Sequence, residues 1–292
     1  MRFFGPSAAA ILSMWLCHLL MQSEAVLNGD KVFWNGYGFM TKVLARGENR
    51  RAQSCTGSLI SPSLVLTAAE CMINRTTRAK LTEFQVLVAK IKGSKKQYDA
   101  RLVDMNENWA LLQIQPLNTT ELCPAEPIPP RMVKLNMKPS LLAAAQYSID
   151  EAYITDNDKC YLVGFEHSSD PAAFIPNQNV QRISLEKLKK PEPDTGTFYR
   201  SRIVQNRTAC FDDTGAALIC HVGIQGHVQV GLFQSLSIAE DNKLNKSSAA
   251  VCSKAAQMEF SLLTSDERLS AAIQKAAFLE FIDAYTKCGY IS

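Results

Sequence analysis

Histidine is scarce in this chain, with four residues in 292, and His18 lies in the first twenty. Imidazole chemistry is therefore left with His167, His221 and His227. No third ligand stands near His221 and His227 at a telling spacing, so neither a metal nor a cofactor is expected. A charge excess of either sign is also lacking. Lys+Arg number 31 against 28 Asp+Glu, a net charge of +3, which gives no reason to expect a nucleic-acid partner. The longest basic knot, Lys187 to Lys190, is broken by Leu188 and reads as a solvated loop. Long apolar runs are limited to one, from about Ala8 to Met21, short of the roughly 20 residues of a spanning helix. No membrane anchor is expected. With 47% hydrophobic and 20% charged residues, 14 glycines and 12 prolines, the chain is neither disordered nor fibrous.

What is present points to export. Arg2, the apolar run and Ser23-Glu24-Ala25 form the pattern of a secretory signal cut after residue 25. Of nine cysteines, Cys17 would leave with that signal. Cys55, Cys71, Cys123, Cys160, Cys210, Cys220, Cys252 and Cys288 remain, an even number that suggests disulfides whose pairing spacing alone does not assign. Sequons begin at Asn74, Asn118, Asn206 and Asn245, all candidate glycan positions in a secreted chain.

Strand-length apolar runs bounded by turns recur: Ser58–Ile60, Leu64–Ala68, Phe84–Ala89, Trp109–Ile114, Tyr161–Phe165, Ala217–Val222 and Val228–Phe233. This spacing predicts an all-β sandwich or barrel. Pro124 to Pro130 reads as an extended connector between two halves, and 150–158 as an acidic surface loop. The end differs. Thr264-Ser265-Asp266-Glu267 predicts a capping box with Thr264 at the N-cap, opening an amphipathic helix that Gly289 ends.

Several motifs are long enough to carry a resemblance. Cys55-Thr56-Gly57-Ser58-Leu59-Ile60-Ser61-Pro62 runs into Leu64-Val65-Leu66-Thr67-Ala68-Ala69-Glu70-Cys71. This resembles the chymotrypsin/trypsin-like serine proteases, in which a histidine stands where Glu70 stands here. Asn106-Glu107-Asn108-Trp109-Ala110-Leu111-Leu112 resembles the strand carrying the catalytic aspartate, whose position is Asn108. In Cys210-Phe211-Asp212-Asp213-Thr214-Gly215 the nucleophile's position is Thr214, and Asp212 replaces an oxyanion-loop glycine. Cys160–Phe165 and the closing helix extend the likeness over residues 26–292, leaving 1–25 as signal. The resemblance implies two six-stranded antiparallel β-barrels with a crossover near 115–135 and a C-terminal α-helix. It also implies the disulfides Cys55–Cys71, Cys160–Cys220 and Cys210–Cys252, with Cys123 and Cys288 as a fourth pair. Val26-Leu27-Asn28-Gly29 resembles the family's amino terminus, which implies an ion pair between a freed Val26 ammonium and Asp213.

The triad chemistry is not expected to survive these replacements. A carboxylate with a pKa near 4.3 is a poor base for a hydroxyl proton at neutral pH. Losing the base alone costs about 10⁶ in turnover in such enzymes. Asp212 sets a negative charge beside the developing oxyanion, where one lost donor costs roughly 10²–10³. No catalytic residue is assigned. By motif position Thr208 sits at the base of the specificity pocket, and Gln234-Ser235-Leu236 replaces the cleft strand, with Leu236 standing where a peptide docks. The expectation is a secreted, extracellular, glycosylated, non-catalytic homologue that works by binding or regulation. Such homologues in insects act in immune cascades or in male reproductive secretions. Only about 29 residues separate the signal cut from Cys55, too few for the extra disulfide domain of cascade cofactors. That tilts the reading toward the seminal-fluid type and a post-mating role, with active proteases, their inhibitors or other seminal proteins as partners. The alternatives are a cofactor or decoy in an extracellular protease cascade, or a residual endopeptidase using Thr214.

Overall fold

The apolar runs become strands in the computed structural model. It describes residues 26–289, except 27, 48–51, 90–94, 119–121, 124–131, 137–153, 156–158, 166–178, 192–196, 223–225, 238–251 and 265. In chain order the strands are β1 (Asp30–Phe33), β2 (Met40–Arg46), β3 (Ala52–Leu59), β4 (Leu64–Ala68), β5 (Glu83–Ala89), β6 (Lys95–Met105) and β7 (Trp109–Gln113). There follow β8 (Lys134–Leu135), β9 (Cys160–Phe165), β10 (Asn179–Ser184), β11 (Tyr199–Arg202), β12 (Ala217–His221), β13 (His227–Ser237) and β14 (Gln257–Leu262).

The first half is a closed antiparallel barrel in the order β2-β3-β4-β7-β6-β5. It closes because β2 bonds on both edges, Thr41 facing Gly57 on one side and Val88 on the other. Closure leaves no free edge. Leu59, Leu64, Leu66, Leu111 and Leu112 on its strands are fully buried, on one face or the other, in a single apolar core.

The second half, where the resemblance implied the other barrel, is built on one antiparallel sheet with a parallel addition. It is an eight-stranded sheet running β1-β10-β9-β12-β13-β14-β11, with β8 added in parallel to β13. Among the described residues no ladder joins β1 to β11. The outer edge of β11 is taken instead by Lys189, which exchanges both backbone hydrogen bonds with Arg200. The halves lock through buried polar contacts: Ser58 Oγ donates to Gln229 Oε1 at 2.7 Å, and the Thr56 amide to the Thr214 carbonyl at 3.0 Å. Four disulfides join Cys55–Cys71, Cys123–Cys288, Cys160–Cys220 and Cys210–Cys252, the pairs the resemblance implied.

The closing helix α1 spans Glu267–Lys287, and Gly289 follows at φ +69°. Its cap corrects the sequence reading. Asp266, not Thr264, is the N-cap, its Oδ1 accepting from the Leu269 amide at 2.9 Å. The same carboxylate accepts from the Trp109 indole and from Asn106 Nδ2 on the β6–β7 turn. Thr264 instead accepts from Asn136 Nδ2 at 3.1 Å. A shared carboxylate satisfying a helix start and a buried indole outcompetes the local box. Asp266→Ala should therefore destabilise the protein by about 2 kcal/mol or more in urea unfolding, clearly beyond Thr264→Ala. Equal losses would mean that Asp266 is not the cap.

Candidate functional site

Glu70, Asn108 and Thr214 come from three elements that meet at the seam. Glu70 lies in a 3-10 turn, Ala69–Met72, directly after β4. Asn108 sits in the β6–β7 turn, where the Asn106 side chain accepts from the backbone amides of Asn108 and Trp109. Thr214 follows a second 3-10 turn, Phe211–Asp213, and precedes β12. Backbone bonds join the three segments: the Ala69 amide donates to the Asn108 carbonyl, and Thr214 is held to Thr56. Gly215 is required there. It adopts φ +86°, and a Cβ would collide with Thr67 Oγ1 and the Thr56 carbonyl.

Among the described residues no hydrogen bond links the Thr214 hydroxyl to Glu70 or Asn108. The Glu70 carboxylate pairs with Arg78, an exposed contact on the outer side of the same loop. Arg75 takes the inner side. Its guanidinium donates to the Ser54 carbonyl at 3.1 Å and to the Phe211 carbonyl, and lies 3.8 Å from Asp212 Oδ1. Burial pulls the Arg75 pKa down, against the pull of Asp212, Glu70 and Asp213. The turn so gripped points inward: the Thr214 amide donates to the Phe211 carbonyl at 3.3 Å, and Thr56 Oγ1 donates to the Asp212 carbonyl at 3.1 Å. An amide spent on its own turn is not presented to an incoming oxyanion.

Gln234-Ser235-Leu236 lies near the end of β13. Gln234 Nε2 donates to the Asn108 carbonyl at 2.8 Å and to Ser261 Oγ at 2.6 Å. Two residues on, Leu236 stands opposite Met258 across β13 and β14. Met258 is buried, and both belong to one apolar cluster with Ala209, next to the buried Thr208. Leu236 thus packs against the chain's own apolar side chains. The two arginines and Met258 escaped the sequence reading. An ungrouped carboxylate at position 70, followed within eight residues by two arginines, was the available signal.

Behind the turn, Asp213 is wholly buried. Its Oδ2 accepts from the Cys210 amide at 2.9 Å, while Oδ1 has no hydrogen-bond partner. Val26, also buried, lies on the other flank of the same spot: a Cβ at Gly164 would collide with both Asp213 Oδ1 and Val26 Cγ2. Burial pushes the Asp213 carboxyl up to about 7, against the pull of the Cys210 amide and Lys42.

The remaining residues fall away from this seam. His221 and His227 face each other across the far end of β12, ring centroids 5.2 Å apart, with the Tyr161 hydroxyl 3.2 Å from His227 Nδ1. Burial, then His221 and Arg182, lower the His227 pKa. Among the described residues no three metal-ligating side chains gather. No described helix is long and apolar enough to cross a membrane. Asn74 is half-buried on the Glu70 loop, its Oδ1 accepting from the Thr76 and Thr77 amides. Asn118 and Asn206 are exposed, whereas Asn245 and His167 lie outside the described residues.

The trypsin family model matches residues 26–243, and the chain belongs to the trypsin family. Among solved structures it is similar to one titled HL collagenase, at 17% identity and a TM-score of 0.55, over 85% of this chain and 97% of that one. At that identity the likeness concerns the fold. Among curated proteins nothing matches.

The Asp213 geometry yields a pH test. In a form that keeps residues ahead of Val26, the neutral carboxyl is favoured on folding. Stability is then full below the usual carboxylate range and falls as pH rises from about 4 to about 7. Asp213→Asn should abolish that fall. In a form starting at Val26, with its ammonium beside the carboxylate, Asp213→Asn should instead cost on the order of 3–5 kcal/mol at pH 7. Urea unfolding of both forms at pH 4.5 and 7 reads this, and the same effect in both would defeat the ion-pair reading.

Proposed function

We propose that the chain is a secreted trypsin-family protein that does not cleave peptides and acts by binding other proteins. The observation that carries this reading is the state of the Thr214 segment. Among the described residues no base is hydrogen-bonded to the hydroxyl, and the amide donates to the Phe211 carbonyl, which also accepts from Arg75. Glu70 does not rescue the chemistry. It is ion-paired outward with Arg78, and a carboxylate is in any case a weak acceptor for a hydroxyl proton. Four disulfides fit an oxidising, extracellular setting. A decoy that captures protease inhibitors through its cleft is the weaker alternative, since Leu236 and Met258 occupy that region.

The test separates missing side chains from a closed site. The wild type should show no turnover of a mixed peptide-substrate library above buffer. The triple variant Glu70→His, Asn108→Asp, Thr214→Ser should also remain within about tenfold of buffer, because the oxyanion donor is still turned away. Turnover by the wild type that vanishes in Thr214→Ala would overturn the proposal. A triple variant approaching ordinary protease rates would show that the site is open and only its residues differ.

A further inference from the structure

In sequence, Lys187, Lys189 and Lys190 form a short basic knot of no evident purpose. The fold gives that knot a second row. The Lys189 and Arg200 backbones bond to each other at 2.8 and 3.0 Å, and Ser201 Oγ donates to the Glu186 carbonyl at 3.3 Å. Leu188 and Ser201 both turn inward and are buried. Lys187 and Lys189 on one segment, and Arg200 and Arg202 on β11, therefore turn to the same outer surface. Lys187, Lys189 and Arg202 are exposed.

The neighbouring strands do not cancel this charge. Arg202 stands opposite Gln257 on β14, which stands opposite Ser237 on β13, so that row contains no acid. Arg200 stands opposite Glu259, and their side chains pair at 3.2 Å. Glu259 is further engaged by Ser235 Oγ at 2.6 Å, so its charge is committed within the sheet. Glu186, exposed beside Lys187, is the other described acid nearby. Lys254 is exposed three residues before β14, near Ala256, whose carbonyl accepts the Ile203 amide. The result is a flat strip of cations about 5–7 Å apart, the spacing set by strand separation and by alternate residues along a strand.

We propose that this strip is a docking surface for a linear sulfated polysaccharide. A polyanion with closely repeated charges can meet two rows of cations at once, and each contact adds to the others. The paired residues of the alternate rows are Lys, Arg, Gln, Ser and Glu, and among the described residues the exposed large apolar side chain beside them, Val204, is a single residue and not an apolar face. This sets the strip apart from a membrane-binding surface, which combines basic residues with an apolar face. The strip lies on the outside of β11, β14 and the Lys189 segment, and uses none of Glu70, Asn108 or Thr214. It would serve a catalytic or a non-catalytic protein equally.

The experiment is surface plasmon resonance of the full secreted chain on immobilised heparin at 0.15 M NaCl. The wild type should bind, and binding should weaken steeply with added salt. Lys187→Gln, Lys189→Gln and Arg202→Gln together should weaken it by about 100-fold, as three lost cations near an anionic surface imply. A control removing the same charge elsewhere, Lys80→Gln with Lys96→Gln and Lys275→Gln, should stay within a few-fold of wild type; all three are exposed. Equal losses in both triples would reduce the effect to net charge and overturn the proposal. So would absence of wild-type binding at 0.15 M NaCl, or tighter binding to phosphatidylserine vesicles than to heparin.

Discussion

The hydrogen bond from the Thr56 amide to the Thr214 carbonyl fixes the relation between the barrel and the eight-stranded sheet. It docks the turn after Asp213 against β3. Gly215, with no room for a side chain between Thr56 and Thr67, lets that docking happen. Everything at the site follows from it. The Thr214 segment is held against the barrel by its backbone, so its side chain and amide take whatever direction the neighbouring loops permit. Here those loops supply Arg75, which grips the Phe211 carbonyl, and a turn that consumes the Thr214 amide. The scaffold of the trypsin family is retained, with Glu70, Asn108 and Thr214 on the segments that meet at its seam.

The Asp213 region shows the same retention of frame. Its carboxylate has one unsatisfied oxygen in a fully buried place, and Val26 packs beside it. A lone buried carboxylate is costly, so the position makes physical sense when a cation joins it or when it is protonated.

Much of the frame was legible in the sequence. Seven apolar runs marked seven strands, because buried strands carry their signal in consecutive Val, Leu and Ile. β6, Lys95-Lys-Gln-Tyr-Asp-Ala-Arg-Leu-Val-Asp-Met105, was not among them: its largely solvated side chains give no apolar run, and pairing with β5 and β7 is what makes it a strand. The helix was legible from its period, but its cap was not. Thr264 and Asp266 both suit an N-cap, and the choice is made by Trp109 and Asn106, more than 150 residues away in sequence. At the site, motif spacing located Glu70, Asn108, Thr214 and Leu236. It did not locate Arg75, Arg78 or Met258, whose roles depend on where a loop folds back rather than on any local pattern. The basic knot at Lys187 was likewise read as a loop, since its partners Arg200 and Arg202 join it only through sheet pairing.

The central claim is that Thr214 is neither activated nor open to an acylating or phosphonylating reagent. Intact-mass measurement after exposure to an excess of a fluorophosphonate ester tests it most directly, because that reagent reports an activated hydroxyl beside a working oxyanion site. The account predicts no adduct at Thr214. A stoichiometric adduct on the wild type, absent in Thr214→Ala, would contradict it.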